Sequence, residues 1–352
     1  MKRFTVLDYV LFTIPTLIWG TSWLVIKDFQ VVDVAVDPMI SVGYRFTLAG
    51  LLLWVGYFFV TVARKGFVFV GAGDFFMKST APVRESSNIL PVLNEINDGG
   101  SRIAAHREPV TKPINYQIKH RWQQQGFILL QGICLFALNY WLFYEASYYL
   151  PSGVIALIFS LITVFNLGNG VLFLKERFRA VLLLPAILGI LGLVLVFITE
   201  LQELRLAKSK LIGLGITLVA TYLASLGNIL SAYNQRQGIG IFKATAYGMV
   251  YGGFIMLGAA WVRGVSFVVP NSMSYLLSLG YLAIFASIIA FYSYLRLIGR
   301  VGAERAAYIA LVFPIIAIVL SILFEGYVLS SYAFLGILFV LISNVTIFRM
   351  HS

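Results

Sequence analysis

Charge is scarce in this chain of 352 residues: Asp, Glu, Lys and Arg make up 12% of it, where an ordinary soluble domain carries about 25%. Histidine is almost missing. The three present, His106, His120 and His351, all fall in charged segments, which excludes a histidine-built catalytic or metal site inside a membrane. The single cysteine, Cys134, cannot form an intrachain disulfide, so the redox compartment is unreadable. No phosphate-binding loop or nucleotide motif occurs, which argues against ATP drive within the chain.

Long apolar runs take the place of charge. The chain is 60% hydrophobic and 15% aromatic, with a mean hydropathy of +0.88. Leu150–Leu174, Ala180–Thr199, Leu211–Gln235 and Val328–Phe348 contain no charge over 25, 20, 25 and 21 residues. About 20 apolar residues of helix cross a hydrocarbon core of about 30 Å. Barrel strands, by contrast, show short alternating segments. The expected fold is therefore an all-α polytopic membrane protein. Ten transmembrane helices are predicted near 8–26, 38–62, 126–147, 152–173, 180–199, 211–232, 244–262, 274–295, 304–324 and 330–348.

The net charge of +11 suggests a nucleic-acid partner only until its distribution is read. With the N-terminus in the cytoplasm, inner segments hold twenty Lys and Arg against five in outer segments. This positive-inside bias predicts cytoplasmic N- and C-termini and a lipid bilayer as the partner, not nucleic acid. Residues 1–26 mimic a signal peptide, but Tyr9–Ile26 exceeds the usual apolar core and no small-x-small site follows it, so it is read as the first span.

The spans divide into two sets of five, residues 1–199 and 200–352. An odd number per half makes any similarity between halves an inverted repeat, a common plan of secondary transporters. Residues 143–176 and 291–325 both open on a Phe-Tyr pair, 148 residues apart, and end in an apolar run closed by Glu, Glu176 and Glu325, 149 residues apart. Trp19-Gly20-Thr21 aligns with Leu226-Gly227-Asn228. Residues 64–125 break the symmetry. Met77–Arg121 carries seven basic and four acidic residues and four prolines, a polar cytoplasmic insertion read as a loop or a regulatory segment.

Candidate site residues come from polar groups placed within spans. A charge at mid-helix costs roughly 2.5–3.5 kcal/mol on insertion scales, so it usually faces a partner or a cavity. Arg45 and Glu145 have similar expected depths. They read as a pair or as substrate or proton-coupling groups, or else as a structural ion pair or snorkelling side chains. Thr217, Thr221, Ser225 and Asn228 share one helix face, as do Thr163, Asn166 and Asn169. With Asn139, these asparagines line a wet path or tie helices together. Trp19 falls near the midplane, where an interfacial belt role fails. It and Tyr144, Tyr251 and Tyr292 are candidates for a pocket wall, with plain packing as the alternative. Pro314 is a candidate kink in span nine. Glu176 and Glu325 are gate candidates, or ordinary charges at helix ends. No metal and no cofactor is expected.

Residues 17–27 (LIWGTSWLVIK), 40–53 (ISVGYRFTLAGLLL), 139–161 (NYWLFYEASYYLPSGVIALIFSL) and 297–317 (LIGRVGAERAAYIALVFPIIA) resemble the EamA-type members of the drug/metabolite transporter superfamily. Glu176 and Glu325 match that pattern too. The resemblance implies ten helices in two inverted halves around a cavity open alternately to each side. It further implies a bacterial inner membrane and export of small organic metabolites such as amino acids or aromatic compounds. Two features depart from the pattern: the long insertion, and Val164-Phe165-Asn166 where span four usually has a proline. The expected function is a secondary transporter, with protons as a coupling partner. The alternatives are a channel or receptor without a transport cycle, and a lipid-modifying membrane enzyme. The first would show a filter or oligomeric ring. The second would show a nucleophile, base or metal cluster.

Overall fold

Helices account for almost all regular structure in the computed structural model, which describes residues 5–33, 36–65, 114–175, 183–200, 204–301 and 309–351. Two units separate by contact: one made of residues 1–55 and 122–352, the other of 56–121. Of the second unit, the described parts are helical, 56–65 and 114–121. Most of the insertion expected at 64–125 lies outside the described residues, as does Glu176.

Helix α1 (Val6–Val25) begins at a reciprocal cap. The Thr5 hydroxyl accepts from the Asp8 backbone N–H, and the Asp8 carboxylate accepts from the Thr5 N–H at 2.8 Å, satisfying donors a helix start leaves open. The helix continues through a π-helical turn, Ile26–Val32. The apolar run predicted an end near 26. The helix runs on because buried Gln30 donates to the Tyr275 carbonyl at 3.1 Å and to the Ser278 hydroxyl at 2.5 Å, extending it past Lys27 and Asp28. Helix α2 (Pro38–Lys65) starts with proline in its first turn, where a missing N–H costs nothing, and Asp37 accepts from the Met39 N–H at 2.8 Å.

The next rod is α3 (Ile114–Gly132), a π-helical turn (Ile133–Leu138) and α4 (Asn139–Ala146). After a turn at Pro151 come α5 (Ser152–Phe159) and α6 (Ile162–Leu174). Then follow α7 (Leu183–Glu200), α8 (Leu204–Arg236) and α9 (Ile241–Val262). The rod α10 (Met273–Gly280), a π-helical turn (Tyr281–Ile289) and α11 (Ala290–Val301) comes next. Helices α12 (Ile309–Phe324) and α13 (Ser331–His351) close the described chain.

Among the described residues, seven helical segments are long and apolar enough to cross a membrane, and three shorter apolar helices lie at Leu184–Val196, Val312–Phe324 and Ser331–Ser343. Their outer faces expose large apolar side chains, among them Leu172, Leu184, Ile187, Val194 and Leu323. In water such a surface is a liability; against acyl chains it is the ordinary solution.

Glycine sets the tightest crossings. A Cβ on Gly192 of α7 would sit 2.5 Å from the Gly336 carbonyl oxygen of α13, and one on Gly132 2.5 Å from the Gly248 carbonyl oxygen. The Gly248 and Gly252 pattern of α9 thus faces the Gly132–Phe136 stretch. Small residues let helix backbones approach where lipid offers no hydrophobic drive between helices. Further packing joins α1 to α12 and to the α10–α11 rod, α8 to α4 and α6, and α5 to α12.

Buried polar links tie α8 to its neighbours. Asn169 donates to Ser225 at 2.9 Å, both buried, and Asn234 donates to Gln131 at 2.8 Å. Replacing Asn169 with Leu should cost about 0.6–1.7 kcal/mol, read as a small fall in thermal stability of the purified protein. An unchanged melting temperature would show that the pair adds nothing.

Candidate functional site

Chain direction gives the bundle two ends. At one end, here the carboxylate end, α1 and α12 finish and α5 begins. Glu325 follows the last turn of α12, and Gly326 takes the left-handed conformation (φ 66°) that reverses the chain. The Glu325 side chain turns back into the protein and is 5% exposed. Its Oε2 accepts from the Ser152 backbone N–H at 2.8 Å and the Ser321 hydroxyl at 2.5 Å, and lies 3.7 Å from the Lys27 ammonium. Pro151 supplies no side-chain cap to α5. A carboxylate from another helix therefore fills that place, where the helix dipole favours negative charge. One side chain joins α1, α5 and α12. Gly153 permits this approach: a Cβ there would sit 2.8 Å from Ile318 Cα.

Toward the other end lies a cavity of about 230 Å³ lined by Leu53, Ile241, Phe242, Thr245, Ser287, Ile288, Phe291 and Tyr292. It is bounded by α2, the start of α9, and the π-helical turn and α11. Tyr292, half-exposed, stands on its wall. Trp19 lies behind Phe291: the rings meet edge-on at 5.3 Å, Trp19 meets Tyr294 at 5.4 Å, and its indole N–H donates to the Ala286 carbonyl at 3.1 Å.

Between these features sits Arg45, 1% exposed. Seven residues separate it from the start of α2, about 10 Å of helix. Its Nε donates to the Ser287 hydroxyl at 3.2 Å, and Ser287 donates onward to the Leu282 carbonyl at 2.9 Å. The guanidinium carbon lies 4.6 Å from the Tyr140 ring centroid and 4.9 Å from that of Phe46. Contacts of this kind contribute about 2 kcal/mol when desolvated. The buried Tyr144 hydroxyl lies within reach of the same charge. Among the described residues, neither Arg45 Nη1 nor the Tyr144 hydroxyl has a hydrogen-bond partner.

The expected Arg45–Glu145 pair does not form. Glu145 accepts from the Trp141 indole N–H one turn earlier at 3.0 Å, and the charges acting on it are Asp37 and Arg263 at the carboxylate end. Equal depth put the two residues at one level, but helix rotation turned Glu145 elsewhere. Arg45 and Tyr144 do come together. Asn166 accepts from Asn228 at 3.5 Å, and Asn139 accepts from its neighbour's backbone N–H at 2.7 Å. Tyr251 donates to Gln125 at 2.9 Å and stacks with Tyr247, away from Arg45. Pro314 is buried within α12. Ser287, Ser152, Ser321 and Gln30 were not singled out by sequence. Serine is unremarkable in an apolar run, and Gln30 lay beyond the expected span.

A family model described as the EamA-like transporter family matches residues 109–198 and 208–349. The chain belongs to the EamA-like transporter family. The family is one of transporters, in keeping with the seven described helical segments long and apolar enough to cross a membrane. The chain is 32% identical over 108 residues to an uncharacterized inner membrane transporter, YedA, of Escherichia coli K12, covering 30% of this chain and 35% of that one. The matched stretch thus spans about a third of that relative. Protein PagO of Salmonella typhimurium LT2 is 21% identical over 330 residues, 94% of this chain and 88% of PagO. A solved crystal structure superposes over 98% of this chain and 97% of its own, with a TM-score of 0.57 and 14% identity, a likeness of fold.

Proposed function

We propose that this EamA-family protein is a secondary transporter that moves small organic metabolites outward by alternating access. Ten helices span the membrane in two inverted halves, 1–199 and 200–352, with both termini in the cytoplasm. The observation that carries this reading is the unlike state of the two ends. The carboxylate end is held together by Glu325, which joins helices of opposite halves, while the cavity lies toward the other end. A carrier closed on one side needs such a releasable bond.

The packing supports the inverted plan. Helix α1 meets α12 and the α10–α11 rod, while α8 meets α6 and α4, the partners five spans along. The π-helical turns at Ile133–Leu138 and Tyr281–Ile289 begin 148 residues apart, close to the offset of 149 between Glu176 and Glu325. Such turns often sit at functional sites, where they loosen a helix. With lysine and arginine concentrated on one side, the cavity faces the cytoplasm and the Glu325 junction faces outward.

The drive is a gradient, with protons as the coupling ion. One charge moved through 100 mV supplies about 2.3 kcal/mol. Glu145, half-buried in a span, is the coupling residue. Counterflow in proteoliposomes, with and without a pH gradient, tests the reading. Saturable counterflow of a small organic compound, accelerated by the gradient, is the expected result. Glu145→Gln should remove the acceleration and leave counterflow. Linear, non-saturating flux would instead mark a channel.

A further inference from the structure

We propose that Arg45 and Tyr144 form the recognition site for the carboxylate of a small organic anion with an apolar body. The proposal rests on the transporter reading for its context, but its evidence is local.

A buried cation normally finds a carboxylate, because an unpaired charge away from water is costly. Arg45 has no ion-pair partner among the described residues. Glu145, the carboxylate at a similar level, is taken by Trp141. The protein instead holds the guanidinium with π faces and a serine: Tyr140 and Phe46 at 4.6 and 4.9 Å, and Ser287 on Nε at 3.2 Å. These fix its orientation without neutralising it. They leave Nη1 without a partner, and the Tyr144 hydroxyl likewise. A guanidinium N–H and a phenol O–H side by side form a pair of donors for one carboxylate. Arg45 is anchored through Nε to Ser287 and the phenol lies against the guanidinium, while Nη1 and the hydroxyl bond to no other described group.

The surroundings define the rest of the ligand. Ser287 touches Arg45 with its hydroxyl and also lines the cavity. Arg45 and Tyr144 lie behind this serine and do not themselves line the cavity. The other walls are Leu53, Ile288, Phe291 and Tyr292 with the first turn of α9, all but Thr245 apolar or aromatic. No described carboxylate lines the cavity to receive an ammonium group. The fitting class is thus a monocarboxylate with a flat or apolar body, such as an aryl or branched-chain acid, rather than a cation.

The test uses purified full-length protein and two matched probes, phenylacetate and its neutral isostere phenylacetamide. Binding is read by titration calorimetry and transport by counterflow. The acid should bind and exchange, and the amide should bind at least about tenfold more weakly. Arg45→Gln should weaken acid binding about 10- to 100-fold and leave amide binding unchanged. Arg45→Lys should recover part of the loss, since it keeps the charge and not the fork. Tyr144→Phe removes one oxygen from a packed ring, so it tests the site even if an Arg45 variant fails to fold. It should weaken the acid by about threefold or more with no effect on the amide.

Equal affinity for acid and amide, or acid affinity unmoved by Tyr144→Phe and Arg45→Gln, would overturn the assignment. Counterflow of only neutral or cationic compounds would overturn it while leaving the carrier reading standing. Acid binding that depends on Arg45 and Tyr144, without counterflow of any compound, would uphold the site and remove the carrier.

Discussion

Alanine at Gly192 or Gly336 is expected to destabilise the protein sharply, and valine at either to prevent recovery of folded material. The two glycines face each other where α7 crosses α13. A Cβ on Gly192 would stand 2.5 Å from the Gly336 carbonyl oxygen and 2.8 Å from Phe339 Cβ. One on Gly336 would meet the Gly192 carbonyl oxygen and, at 2.8 Å, Val196 Cγ2. The obstructing atoms include backbone on both sides, so no rotamer change relieves the clash. The helices must part, and with them the α7–α13 contact. Overpacking costs about 1–3 kcal/mol even where side chains can adjust. Gly168 is the control, because a Cβ there meets nothing within 4 Å. Gly168→Ala should be neutral or stabilising by up to about 1 kcal/mol, the helix preference of alanine over glycine. Thermal melting in detergent, followed by size exclusion, separates the cases. A Gly192→Ala protein that melts with the wild type would refute this packing.

The second large effect concerns Glu325. Glu325→Ala removes the cap of α5, the acceptor for Ser321 and the partner of Lys27 in one step. Loss of a cap alone costs about 0.5–2 kcal/mol. If Glu325 bonds only while the carboxylate end is closed, that energy is lost from the closed state alone. One to two kcal/mol then raises the population open at that end about 5- to 30-fold. A cysteine at Ser152, 1% exposed in this structure, reports it in a Cys134→Ser background. An impermeant maleimide added from the carboxylate side should label Ser152→Cys faster in Glu325→Ala by about that factor. Glu325→Gln keeps an acceptor for the Ser152 N–H and should fall between. Equal labelling in all three would show that Glu325 does not hold the end shut.

The all-helical, apolar character was legible because the bilayer imposes length and apolarity on any helix that crosses it, and seven described segments meet both. Boundaries were less so. The first helix passes Lys27 and Asp28 because Gln30 binds α10, an attraction 245 residues away in sequence. Arg45 was legible as a charge in an apolar run, since such a charge is costly without a purpose. Its surroundings were not: depth follows from counting residues, while rotation about the helix axis follows only from packing. That is why Glu145 looked like its partner and Ser287 did not. Glu325 was visible as the charge closing an apolar run, but its three partners come from positions 27, 152 and 321. None of the three π-helical turns left a mark in the sequence, because an extra residue in one turn changes no pattern of polarity.

Locking the carboxylate end tests alternating access most directly. Lys27→Cys and Glu325→Cys in a Cys134→Ser background place two thiols across the junction between α1 and α12, where the native charges lie 3.7 Å apart. A short, reducible bifunctional thiol reagent then ties the end shut. Counterflow should stop on cross-linking, return on reduction, and be untouched by the reagent in either single variant. Full counterflow through a protein shown to be cross-linked would mean that this end need not open, and the account of a carrier exposing its site alternately to the two sides would be wrong.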